Sequence, residues 1–181
     1  AETDWTQTGG VTSIGNVRCI LWKKTDGTMW GWGANVNAQA GILGDGTTVS
    51  KSSPVQIGAR TDIVQVAMGN VVCHWLDSDG IVQVWGNNNG NGLFGDGSGG
   101  PGQGGTTSYS SPVQMGNHSP YTFTHASSGS HYAITEDKKL WGWGLNTTNG
   151  QVGDGSTVNK SAPIQIGVAE NWVDISSGGF W

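Results

Sequence analysis

Four markers recur in the same order three times along this chain, and that recurrence limits its fold more than any other feature. The segments "TDGTMWGWG" (25–33), "SDGIVQVWG" (78–86) and "EDKKLWGWG" (136–144) align without a gap. Each leads into an Asn-rich stretch and then a Gly-Asp-Gly triplet: Gly44-Asp45-Gly46, Gly95-Asp96-Gly97 and Gly153-Asp154-Gly155. A proline phrase closes each unit, "SPVQIG" from Ser53, "SPVQMG" from Ser111 and "APIQIG" from Ala162. Such a period marks stacked supersecondary units, none of which can bury its apolar face alone.

The unit is about 51 residues long. Trp32 and Trp85 are 53 positions apart, and Trp85 and Trp143 are 58. The second unit is longer because of "SGGPGQGG" (98–105): Asp96 stands 16 positions before Pro112, against 9 for the pairs Asp45–Pro54 and Asp154–Pro163. This insertion has no Lys or Ser/Thr in the order that a phosphate-cradling loop requires. It is expected to be a surface excursion, and Ser98, Gly99, Gly100, Pro101, Gly102, Gln103, Gly104 and Gly105 are the candidate partner-contact loop.

Within a unit the pattern resolves into short strands. The columns Met29/Val82/Leu140 and Gly31/Val84/Gly142 fall on one face of an extended strand, and Trp32/Trp85/Trp143 on the other, because side chains alternate with period two. A tryptophan at one place in every unit is expected to be packing, with the intervening glycines allowing close approach. The proline phrase reads as a half-buried strand that proline opens. A third strand is expected in "NVRCILW", "NVVCHWL" and "SHYAIT", and a fourth in "IVQVA" and "WVDIS". Four short strands per unit, with frequent turns, describe an all-β propeller blade of antiparallel strands. With 32 glycines, ten tryptophans and only 12% charged residues, the composition agrees.

The third unit, with His131, Trp143-Gly144, Asn146 and Gly150-Gln151-Val152-Gly153, resembles the repeat of the regulator of chromosome condensation family. The first two units depart from it, with Ala38-Gln39-Ala40-Gly41 and Asn91-Gly92-Leu93-Phe94 in place of the Gly-Gln pair. Kelch repeats and the sialidase Asp-box fit less well. The resemblance implies a seven-bladed ring, which would need roughly 360 residues against the 181 here. The expectation is one partial propeller domain, 1–181, of about three and a half blades, half of a seven-bladed ring. Its repeats run 5–60, 61–120 and 121–170, with a fourth blade starting at 171–181. Missing sequence, another copy or a docking partner would complete it.

Candidate chemistry is sparse. Asp26, Asp79, Asp45, Asp96 and Asp154 recur in register, which points to side chains accepting backbone N–H bonds in turns, in preference to calcium ligation. No carboxylate pair, metal-spaced histidines or Ser-His-Asp set stands out, so no catalytic, cofactor or metal residue is assigned. His131 is expected to be a hydrogen-bonded structural histidine, and Cys19 and Cys73 to be buried small hydrophobes. A net charge of −5 without a basic cluster speaks against nucleic acid. No run approaches the ~20 apolar residues of a membrane span, and the first residues lack the parts of a secretory signal.

The function expected from these features is a non-enzymatic protein-interaction or structural module, with a virion or extracellular surface protein as the specific form. Protein partners or self-assembly would follow, and a glycan is an alternative ligand. The resemblance also implies a second alternative, guanine nucleotide exchange on a small GTPase. The absence of a basic segment and the incomplete ring count against it.

Overall fold

The computed structural model describes residues 5–6, 19–36, 41–88, 92–97, 107–116, 120–147 and 149–177. Among them are twelve strands in three four-stranded antiparallel sheets, each sheet a meander of consecutive strands. The first sheet holds β1 (Trp5–Thr6), β2 (Cys19–Lys24), β3 (Met29–Gly33) and β4 (Lys51–Ile57). The second holds β5 (Ile63–Met68), β6 (Val72–Asp77), β7 (Val82–Gly86) and β8 (Tyr109–Gln114). The third holds β9 (Tyr121–Ala126), β10 (Ser130–Thr135), β11 (Leu140–Gly144) and β12 (Lys160–Gln165). This is the expected all-β blade architecture, and β9 lies against β5 and β6 of the preceding blade.

Proline does not open the closing strand as the sequence suggests. Pro54, Pro112 and Pro163 sit inside β4, β8 and β12, at the outer edge of each sheet. There the register slips between Gly31 and Gly33, Val84 and Gly86, and Gly142 and Gly144. A bulge at a sheet edge is where a residue without an N–H can stay in a strand.

"WVDIS" is also corrected in part: no strand is assigned over 171–177. The segment nonetheless follows the course of a blade's entry. Trp172 N donates to Lys138 O at 3.2 Å, just as Tyr121 N donates to Gly80 O at 2.9 Å one blade earlier. Trp172 and Ile175 pack on the cluster of Tyr132, Ile134 and Leu140, so the third blade's outer face is partly covered.

The core lies between blades. Trp85 and Trp75 of the second blade join Leu21, Met29, Ile42, Leu43 and Ile57 of the first. Trp143 and Ala133 of the third join Val84, Leu93, Phe94 and Met115 of the second. Trp85 and Trp143 are fully buried, so the packing role expected of the tryptophan column is met there. Trp32 of the first blade is only half-buried. Cys19 and Cys73 are free and buried, and burial pushes the Cys19 thiol up to about 11.

Candidate functional site

Long connections join the third and fourth strands of each blade, and their described parts carry many side-chain hydrogen bonds. Each is organised by one buried asparagine, three residues after the conserved-position tryptophan of its unit: Asn35, Asn88 and Asn146. Asn146 Oδ1 accepts from Val152 N at 2.9 Å, while its Nδ2 donates to Ser156 O at 3.0 Å and Asp154 Oδ1 at 2.9 Å. Asn35 makes the same set: Oδ1 accepts from Leu43 N at 3.1 Å, and Nδ2 donates to Thr47 O at 2.9 Å. Asn88 Oδ1 accepts from Leu93 N at 2.8 Å. An amide has both a carbonyl and two N–H donors, so a single side chain satisfies groups on both arms of a loop that has no ladder of its own.

The aspartate of the triplet completes the turn as the sequence suggests. Asp45 Oδ1 accepts from Thr47 N at 3.0 Å, and Asp154 Oδ1 from Ser156 N at 3.1 Å. In the first and third loops a lysine six positions on pairs with this aspartate, with Lys51 Nζ 3.2 Å from Asp45 and Lys160 Nζ 2.8 Å from Asp154. Burial pushes the Asp154 carboxyl up, but Lys160, Ser156 and Asn146 outweigh it and hold it well below the usual carboxylate range. These carboxylates are locked as anions, unsuited to general acid work. Val49 and Val158 are exposed at the loop tips.

On the opposite turns, Asp26 Oδ1 accepts from Thr28 N at 2.9 Å as expected. In the second blade that duty passes from Asp79 to Asp77, whose Oδ1 accepts from Asp79 N and Ile81 N at 3.1 and 2.9 Å. Asp77 is buried and ion-paired with Arg60 at 2.8 Å. Arg60 reaches Asp62 as well, at 2.5 Å.

His131 departs from the hydrogen-bonded role expected of it. It is buried beside His74, with ring centroids 4.6 Å apart, and both rings stack on Trp143. Neither His131 nitrogen has a hydrogen-bond partner among the described residues, whereas His74 Nδ1 meets Thr124 Oγ1 at 3.1 Å. Burial and the neighbouring imidazoles push His74 well down, and burial pushes His131 down to about 3, so both are neutral packing groups. Sequence reasoning missed this pair because the two residues lie 57 positions apart in different repeat columns. The asparagine hub, by contrast, was marked by Trp-Gly-x-Asn in all three units.

No group of three or more His, Cys, Asp or Glu that could hold a metal is found among the described residues, nor any helix long and apolar enough to cross a membrane. The contact loop read from the sequence, 98–105, lies outside the described residues. What the described parts of the first and third loops show is a set of hydrogen bonds and ion pairs that hold each loop on itself.

Comparison with known proteins bears on what is bound. Residues 26–73 and 137–180 match the regulator of chromosome condensation (RCC1) repeat. The chain is 30% identical over 173 residues to the guanine nucleotide exchange factor SRM1 of Saccharomyces cerevisiae, an alignment covering 87% of this chain and 33% of that protein. It therefore spans about a third of the length of that curated relative. Among solved structures, human WBSCR16 superposes with a TM-score of 0.66 at 22% identity, covering 87% of this chain and 39% of the other. Prp20p of S. cerevisiae, studied for its binding to Gsp1p and histones, gives 0.67 at 18% identity, covering 83% and 36%. Yeast RCC1 (Prp20) bound to Kap60 gives 0.67 at 24%, covering 90% and 36%. At these identities the structures establish the propeller fold.

These relatives overturn two expectations. The structural or virion module gives way, because the curated relative is an exchange factor. The virion or extracellular location gives way with it, because that relative is a yeast exchange factor. The physical reason for the error is that the repeated residues report packing and turns, and such a pattern carries no information on what the surface binds. Sugar binding fares no better: Trp85 and Trp143, which could have stacked on a glycan, are fully buried.

Proposed function

Because the chain belongs to the RCC1 repeat family, we propose that it forms part of a propeller that promotes guanine nucleotide exchange on a small GTPase. The observation that carries this reading is the 30% identity over 173 residues to a yeast exchange factor. The geometry suits such work. Exchange breaks no bond in the nucleotide: the factor binds the nucleotide-free GTPase more tightly than the loaded one, and by linkage lowers nucleotide affinity by the same factor. A rigid scaffold with preorganised loops supplies differential binding at low entropic cost. The reading assigns no covalent chemistry to the chain, and its partner is a protein.

Residues 98–105 are the proposed partner-contact loop, and 171–181 the proposed opening of a fourth blade. The hydrogen bond from Trp172 N to Lys138 O supports the latter. The experiment is release of a fluorescent GDP analogue from a panel of small GTPases, alongside capture of their nucleotide-free forms. Acceleration that rises with protein concentration, or selective capture of one nucleotide-free GTPase, is expected. A folded chain that does neither across the panel overturns the proposal. Substituting Pro101 and Gln103 should weaken capture while leaving the melting temperature unchanged.

A further inference from the structure

Three sulfur-bearing side chains meet in the core between the first and second blades, and the proposed exchange activity does not use them. Cys19 opens β2 of the first blade, whereas Met68 ends β5 and Cys73 lies in β6 of the second. All three belong to one buried cluster with Leu21, Ile42 and Trp75. Cys19 Sγ donates to Met68 Sδ across 4.0 Å. Met68 and Cys73 are direct partners in the antiparallel β5–β6 pair, so their side chains leave the same face of the sheet, with Cβ atoms about 4.5–5.5 Å apart. Burial raises both thiols, and Cys73 is raised further by Cys19. At neutral pH the cluster is therefore uncharged.

This arrangement suits a soft, monovalent metal ion. Metal–sulfur bonds of about 2.3 Å, at the ~120° angles of a trigonal site, hold two sulfurs about 4.0 Å apart. Cys19 and Met68 already have that separation. Thiolate and thioether donors favour copper(I), whereas magnesium and calcium take oxygen and zinc completes a tetrahedron with a fourth ligand. Among the described residues no third His, Cys, Asp or Glu joins the two cysteines. Cys19 is 6% exposed, against 1% for Met68 and 0% for Cys73, so it is the ligand that an incoming ion meets first. Cys73 Sγ donates to Ile42 O at 3.7 Å, and that carbonyl also accepts from Trp85 Nε1 at 2.8 Å. Loss of the thiol proton thus leaves no buried acceptor unpaired.

We propose that Cys19, Met68 and Cys73 form a trigonal copper(I) site that ties the first blade to the second. On binding, each thiol gives its proton to solvent, and the ion, two thiolates and one thioether make a complex with a single negative charge. The copper stays monovalent throughout, so no oxidant or reductant takes part. Because the thiolates are the ligands, affinity rises with pH.

The test is anaerobic titration of the reduced chain with copper(I) against a chromophoric copper(I) chelator, followed by X-ray absorption at the copper edge. One equivalent should bind, with a first shell of three sulfurs. Met68→Leu keeps the volume and removes the donor. It should reduce the shell to two sulfurs and weaken binding at least about tenfold, since loss of a supporting contact alone costs that much at a metal site. Near-ultraviolet circular dichroism checks that this variant folds, and the shell of the wild-type chain tests the site without any variant. An ion held only by the folded chain should also raise the melting temperature, whereas capture by thiols freed on unfolding would lower it. A wild-type chain that does not bind one equivalent, a first shell containing nitrogen or oxygen, a lowered melting temperature, or a folded Met68→Leu chain that binds as tightly as wild type overturns the proposal.

Discussion

A tryptophan in the same repeat column does different work in different blades. Trp143 is fully buried, stacks on His74 and His131 and donates to Leu93 O. Trp143→Ala should therefore cost about 3–5 kcal/mol in denaturant unfolding. Trp32→Ala, at a half-buried site, should cost less than half as much. The histidine pair gives a pH signature. Both imidazoles have folded pKa values below the ordinary 6.5, His131 at about 3, so below pH 6.5 the unfolded chain takes up protons that the folded chain refuses. The contribution of His131 is complete above about pH 6.5 and falls by about 1.4 kcal/mol per pH unit as pH drops toward 3, with His74 acting in the same direction. Urea titrations at pH 7, 5.5 and 4.5 check this, and His131→Phe should flatten the slope. The sequence marked His131 as a core position, but its neighbour became visible only once folding had brought two repeat columns together.

At the level of elements, the repeats made most strands legible, and "SHYAIT" corresponds residue for residue to β10. Alternation identified the Val82/Val84 face of β7, which meets the third blade, but Trp85 on its opposite face is buried against the first blade, so both faces of this strand meet a neighbour. The position of proline was misread because the register slip that accommodates it is a backbone property with no residue pattern of its own. The tight turns carry one local conflict. Gly27 and Gly80 occupy left-handed backbone, at φ 87° and 78°, and their third counterpart is Lys138, at φ 62°. A Cβ there carries a steric cost that glycine avoids, offset in part by glycine's looser unfolded state. Lys138→Gly should raise stability by about 0.5–1 kcal/mol, read as a higher melting temperature. An unchanged or lower value would show that the lysine stem contributes packing that outweighs the strain.

Across the whole molecule, order is concentrated at the blade junctions. β6 is buried along its whole length, from Val72 to Asp77, whereas among the described residues β1 is an edge strand paired at Trp5 and Thr6. Hydrogen exchange should accordingly be slowest in β6 and β10 and fastest in β1, with protection falling outward from the second blade. Equal protection in all three sheets would contradict this order. Function was the least legible property at this scale. A covalent catalyst must place particular acids, bases or metals, and such requirements leave spacings in the sequence. A binding surface needs only a shape, and residues such as Asn146 and Asp154, which hold the loops by hydrogen bonds, leave no spacing that says what such a shape would bind.

The arrangement of the junction also bears on how such a chain can lengthen. The second unit carries both halves of the blade junction: Trp85 Nε1 and Ser110 O meet Ile42 O and Gly46 N of the first, and Leu93 O and Gly97 N meet Trp143 Nε1 and Ser161 O of the third. A duplication that copies one whole unit therefore inserts both halves together, and the newcomer fits its neighbours on either side without compensating substitutions. Length becomes a quantity that copying errors can change in whole steps, while each added step arrives already compatible with what was there before.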